Sequence, residues 1–199
     1  MDPKKCIEIL CGRMTCNHNE SSDNLENGRS ICYPCSNINN SESIKSPDLN
    51  QIKDMNILDL LNLFGELQSQ RVQSYRDYDT ALDILIEQSR ISEYSFLCAE
   101  MTARFSTISG QIIQLITQLR EKSLTVLSSL IQKIQDEEKE KLTLIASIHI
   151  DKIVTAFPSM KPHFGTECQT LYLTSRIKDI EKNIAEHMET IQVEKCEYI

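Results

Sequence analysis

The 199-residue sequence has no tryptophan, five glycines and five prolines, and only 6% of its residues are aromatic. So little Gly and Pro weighs against a turn-rich β fold, and so few aromatic rings weigh against an aromatic-lined enzyme cleft. A run of about 18 apolar residues, the length a membrane helix needs, is also missing, so no membrane partner is expected. The first residues, Met1-Asp2-Pro3-Lys4-Lys5-Cys6, lack the apolar stretch of a secretory signal. The chain is therefore expected inside the cell, in nucleus, cytoplasm or both, where its eight cysteines stay reduced. Basic blocks are missing too. Five Lys and Arg face seven Asp and Glu in residues 1–50, and sixteen face twenty-two in residues 51–199. A net charge of -8 without a basic cluster weighs against a direct grip on nucleic acid. With no Gly-rich phosphate loop, paired-histidine zinc motif or Gly-x-Ser-x-Gly elbow, an enzyme is not expected and no catalytic residue is assigned.

What the sequence does hold is helical periodicity. From Met55 to Ile150, apolar residues recur at alternating spacings of four and three in three successive runs. The first passes through Ile57, Leu61, Phe64, Gln68, Arg71, Tyr75, Tyr78, Leu82 and Leu85. The second passes through Tyr94, Cys98, Met101, Phe105, Ile108, Ile112, Leu115 and Leu119. The third passes through Leu124, Leu127, Ile131, Ile134, Glu138, Lys141, Ile145 and Ile148. Such spacing lines one side of a helix with groups that a neighbouring helix can cover. The fold expected is all-α: an antiparallel three- to four-helix bundle of long coiled-coil-like helices with a flexible Cys-rich N-terminal tail.

The expected helices run from about residues 50–54 to Gln88, from Tyr94 to Leu119, from Leu124 to Ile153, and from Glu167 to Val193. Ser89–Glu93 reads as the first turn, and Ser123 as the N-cap of the third helix. Pro158, Pro162 and Gly165 break the chain before the fourth helix, whose seam is Leu173, Ile177, Ile180, Ile184, His187 and Ile191. This divides the sequence into a tail and linker at 1–50, a three-helix domain at 51–157, and a proline-containing loop with a C-terminal helix at 158–199. The fourth helix either folds back on the bundle or pairs with another chain, which leaves homo-oligomerisation open.

Gln68, Arg71, Glu138 and Lys141 stand where the seam calls for apolar side chains. Counting outward from the turns places Arg71 opposite residue 109, and residue 109 opposite residue 133, within about a turn and a half of Glu138. An Arg71–Glu138 pair buried there would fix register more than it would add stability, whereas at the seam edge the same side chains would reach solvent. Leu58, Leu60, Leu63, Leu97, Ile113, Ile116, Leu130 and Leu142 flank the seams and widen the apolar arc beyond a two-helix contact. Either the fourth helix or a protein partner has to cover that surplus.

The tail carries five of the cysteines. Cys11-x4-Cys16 and Cys32-x2-Cys35 are two pairs separated by fifteen residues, a spacing able to wrap one tetrahedral Zn²⁺, with Cys6 or His18 as a substitute ligand. Against a metal site, residues 17–50 offer almost no apolar surface to offset the entropy of ordering, and a disordered tail with incidental thiols accounts for the same sequence.

Three blocks then carry a resemblance. Leu67-Gln68-Ser69-Gln70-Arg71 followed by Tyr75 resembles the opening helix of the Required-for-excision 1-B domain family. Tyr94, Cys98, Glu100, Thr102, Phe105, Ser109 and Ile112 resemble its second block. Ile131, Gln135, Glu137, Glu138, Lys141 and Leu142 resemble its closing helix. The resemblance covers about residues 55–152 and implies a part in DNA excision repair, as an accessory protein without an active site to transfer. Gln68, Arg71, Tyr75, Phe105, Glu138 and Lys141 become the interaction or structural residues to locate. The expectation is a noncatalytic adaptor that binds other proteins through helical surfaces. Its alternatives are a coiled-coil subunit of a trafficking or cytoskeletal complex, and a repair factor that binds nucleic acid through a zinc module.

Overall fold

The structure, a computed structural model, describes residues 52–158 and 167–198. Four long helices account for nearly all of them: α1 (Ile57–Glu87), α2 (Tyr94–Glu121), α3 (Thr125–Ala156) and α4 (Glu167–Lys195). Each helix packs chiefly on the next, and α1 also touches α3. Short connections make sequential helices antiparallel neighbours, so the chain rises and falls as an up-down-up-down bundle. The residues of the zinc expectation (Cys6, Cys11, Cys16, His18, Cys32 and Cys35) lie outside the described residues.

The helix ends explain where sequence-based bounds shift. α1 starts at Ile57 because the Asn56 side chain accepts a hydrogen bond from the Asp59 amide at 2.8 Å, satisfying an otherwise unpaired donor of the first turn. The third helix has no side-chain cap. Ser123 instead closes α2, with φ of 63° and its amide bonded to Arg120 O, while the Leu124 amide reaches back to Leu119 O. This crossed pair is a Schellman closure, which needs a left-handed residue after the helix. Ser89 ends α1 in the same way: φ is 56°, its amide bonds to Ile86 O, and the Arg90 amide bonds to Leu85 O. Both short turns thus use serine where glycine is the usual choice.

Two apolar clusters form the core. At the end holding the α2–α3 turn, aliphatic side chains dominate: Leu60, Phe64, Leu67, Ile112, Leu115, Leu119, Leu127, Ile131 and Ile134 are buried together with Ile191 of α4. At the end holding the α1–α2 turn, Tyr75, Tyr78, Tyr94, Met101 and Phe105 join Leu82 and Ile153. Of the flanking apolar residues, Leu60, Leu63, Leu97 and Ile116 are buried, Leu58, Leu130 and Leu142 are half-buried, and Ile113 is exposed. Most of the surplus arc is therefore used inside the bundle, where a third and fourth helix demand a wider apolar stripe than a two-helix seam.

Candidate functional site

Between the two clusters lies a layer of polar side chains drawn from α1, α2 and α3. Arg71, Gln68, Tyr75, Phe105, Glu138 and Lys141 are all buried, and all six belong to this layer or its lining. Each stands on the inward stripe of its helix, so burial follows from position rather than from apolar character. Arg71 is the centre, with 2% of its surface exposed. Its Nη1 donates to Gln68 Oε1 at 3.1 Å, and its Nη2 donates to Ser109 Oγ at 3.2 Å and to Gln135 Oε1. Gln135 in turn donates to Ser109 O at 3.4 Å. Arg71 thus sits level with residue 109 and within two residues of 133, the positions that turn counting gives.

Glu138 is reached differently. No carboxylate among the described residues lies within ion-pair distance of Arg71; the Glu138 carboxylate accepts a hydrogen bond from the Tyr75 hydroxyl at 3.0 Å. The same hydroxyl lies 3.2 Å from Glu138 O. Tyr75, one turn further along α1, takes the Glu138 carboxylate as its acceptor, and Arg71 and Glu138 act on each other through space. Burial pulls the Arg71 pKa below its usual value, and the nearby Glu138 charge and Tyr75 pull it back. The side chain stays a cation across the physiological range. Burial pushes the Tyr75 hydroxyl well above its normal range, and the Glu138 charge and hydrogen bond add to that. Tyr75 is therefore a fixed donor, with no access to a phenolate. Lys141 Nζ lies 4.7 Å from the centre of the Tyr75 ring and 2.9 Å from Glu181 of α4. Phe105 also packs on that ring, with centroids 4.7 Å apart.

A second polar group, further toward the α1–α2 turn, is centred on His149. This side chain is fully buried, with its ring 4.3 Å from that of Tyr78 and 6.4 Å from that of Tyr94. Its Nε2 lies 2.8 Å from Asp79 Oδ1, and its Nδ1 is buried without a hydrogen-bond partner. Tyr78 OH also meets Tyr94 OH at 3.1 Å and Cys98 Sγ at 3.3 Å. Burial, then Tyr78 and Cys98, push the Tyr94 hydroxyl far up. The hydrogen bond to His149 holds the Asp79 carboxyl below its usual range, against a smaller opposing effect of burial.

Sequence periodicity misses His149 because it keeps a spacing of 3.5 through the end of α3. A straight helix turns once in about 3.6 residues, so the inward stripe drifts. After Lys141 it passes to Ala146, His149 and Ile153, while Ile145 and Ile148 are only half-buried. The run Ala146, His149, Ile153 is itself spaced three and four, a signal in the sequence once drift is allowed.

The acidic run of α3 does not converge. Asp136 accepts from Gln132, Glu138 points inward to Tyr75, and Glu140 pairs with Arg176. Glu137 faces α4, where His187 stands 3.9 Å from its Oε1. Two surface clefts among the described residues lie apart from both polar groups. One, of about 320 Å³, is lined by Thr125, Val126, Ser129, Leu130 and Lys133 of α3, and the other, of about 660 Å³, by Asn62, Gly65, Glu66, Ser69 and Gln70 of α1. The buried layer can lock register and exclude mismatched packing, because Arg71 bonds to Gln68, Ser109 and Gln135, and Tyr75 to Glu138. No described helix is long and apolar enough to cross a membrane.

Residues 59–152 match the family model described as DNA repair REX1-B. The match begins in the first turn of α1 and ends in the last turns of α3, so the three helices that build the polar layer carry the likeness to that family. No curated protein and no solved structure matches the chain. The family and the helical fold fit a role in DNA repair.

Proposed function

We propose that this chain, whose first three helices match the DNA repair REX1-B family model, is a noncatalytic accessory protein of excision repair that works in the nucleus through protein–protein contacts. The observation that carries the pathway is the family match over residues 59–152. The mode draws support from the layer itself. Arg71, Tyr75 and Glu138 are buried and bonded to neighbouring helices, which suits them to holding a rigid rod in register. An acidic chain of net charge -8 is better suited to protein partners than to a phosphate backbone. The spacing of Cys11, Cys16, Cys32 and Cys35 supports one Zn²⁺ in the tail as part of this reading, and metal analysis of purified protein before and after Cys32→Ser checks it.

The experiment is affinity capture of the tagged protein from cells before and after ultraviolet damage, together with lesion clearance in cells lacking it. Repair factors in the eluate and slow clearance are the expected results. Normal clearance with only trafficking or cytoskeletal partners would point instead to a coiled-coil subunit of such a complex. Tight DNA binding by the purified protein at physiological salt would keep the pathway and replace the contact mode.

A further inference from the structure

The fourth helix differs from the other three in how it is held. α1 buries twelve residues, and α2 and α3 bury ten each. Among the described residues of α4, only Leu173, Ile180 and Ile191 are buried, although the helix is 29 residues long. Its stripe is completed by Ile177, Ile184 and Met188, all half-buried. α4 also lies outside the family-matched segment, which stops at residue 152.

Its polar contacts with the bundle are complementary and peripheral. Arg176 holds Glu140 through two hydrogen bonds, at 2.8 and 3.1 Å, with both side chains about 40% exposed. Glu181 reaches Lys141 at 2.9 Å and is half-exposed. Thr170 donates to Asp151 at 2.9 Å. Ion pairs this open to water add little stability but do select which helix fits and in what register. One contact is imperfect: Glu137 Oε2 is buried without a hydrogen-bond partner, and His187, the α4 group closest in kind, is 3.9 Å from the other oxygen. An unmet buried acceptor is a cost that a better donor at that position would remove.

We infer that α4 is the internal occupant of a helix-binding groove on the family unit, and that a partner protein's amphipathic helix takes its place. The groove specifies that helix. Apolar side chains are required at the spacing of Leu173, Ile177, Ile180, Ile184, Met188 and Ile191. A carboxylate is required opposite Lys141, and a cation opposite Glu140. An arginine or lysine opposite Glu137 would give the partner helix an advantage over α4. The mode is helix-in-groove recognition, with an intramolecular competitor setting the threshold for binding. This deepens the contact reading proposed above and rests on it for its biological setting, but not for its test.

The test uses the full chain and a fluorescent peptide of residues 167–195 carrying His187→Arg. Full-length protein with Ile180→Asp, which loosens its own α4, should bind the peptide at least tenfold more tightly than wild type. Adding Glu140→Lys to that chain should weaken binding about threefold, and a peptide carrying Arg176→Glu as well should restore it. Equal binding to wild type and Ile180→Asp, or binding blind to the Glu140 charge, would overturn the inference. Should Ile180→Asp unfold the chain, hydrogen exchange on the wild type decides: α4 amides exchanging at least tenfold faster than those of α3 support displacement, and exchange in step overturns it. A wild-type dimer with α4 swapped between copies would overturn the partner assignment in favour of a second copy. Failure of peptide binding leaves the accessory role standing, whereas normal peptide binding with no repair factor captured removes that role alone.

Discussion

The two ends of the bundle hold their helices together by different means. At the α2–α3 end, Leu, Ile and Phe side chains interlock, and the buried polar groups there, Gln118 and Ser128, bond within their own helices. At the α1–α2 end, tyrosines, a histidine and a methionine are set among Leu82, Leu85, Leu97 and Ile153, with hydrogen bonds running between helices. The Arg71 layer is the border. Aliphatic packing tolerates small slips at modest cost, because one branched side chain resembles the next. Hydrogen-bonded contacts tolerate none, because a slip leaves buried groups unpaired. The aliphatic end thus supplies most of the adhesion, and the polar half supplies the register.

The largest effect should come from breaking the border. Arg71→Leu removes the cation that faces Glu138 and the donors to Gln68, Ser109 and Gln135. Chemical denaturation should show a loss of about 3–5 kcal/mol, the usual result of stripping one partner from a buried charged network. Arg71→Leu with Glu138→Leu should lose less than the two single variants added together. Strict additivity with small losses would mean that the layer does not act as a unit.

Within the aliphatic end, Ile112→Ala should cost about 2–5 kcal/mol through lost burial and the cavity left behind. Ile112 is fully buried. The comparison sharpens if the helix register, read from cross-links across α2 and α3, survives Ile112→Ala but slips in Arg71→Leu.

The tyrosine end should be the acid-sensitive one. Asp79 titrates below its unfolded value because of His149, so its contribution is present above the unfolded carboxylate pKa of about 3.9 and is lost as pH falls through the lower folded value. Melting temperature followed from pH 6 downward should therefore drop in acid, and Asp79→Asn should flatten that drop. An unchanged acid slope in Asp79→Asn would detach His149 from the stability of this end.

The smallest effect is a gain. Ser89 and Ser123 hold the left-handed residue of the two Schellman turns, one at each end. A non-glycine residue there costs about 1–2 kcal/mol, part of which glycine gives back through its greater freedom when unfolded. Ser89→Gly and Ser123→Gly should each stabilise by about 0.5–1 kcal/mol in thermal denaturation. A loss in either would show that the serine side chain stabilises its turn.

Much of this was legible in the sequence because it follows from helical spacing. The seam positions Gln68, Arg71, Glu138 and Lys141 look anomalous against an apolar stripe, and that anomaly marks the layer before any coordinates are known. Turn counting places Arg71 beside residue 109 because the one intervening turn is short. Three features were not legible in the same way. That Glu138 bonds to Tyr75 and not to Arg71 depends on side-chain direction, which spacing does not fix. His149 is hidden by assuming a fixed repeat through a helix whose stripe drifts. Ser123 looks like an N-cap by residue type, and only backbone geometry distinguishes an end of α2 from a start of α3.

Under the proposed accessory role, the buried layer holds the three-helix unit in shape, while function lies on the helical surfaces. Glu138→Gln tests it most directly, because it removes the carboxylate and keeps the size of the side chain. Cells lacking the protein would be complemented with Glu138→Gln or wild type, matched for the amount of folded chain, and their clearance of ultraviolet lesions measured. The account predicts clearance at the wild-type rate. Lost clearance with the folded protein at wild-type level would contradict it and make Glu138 a reacting group.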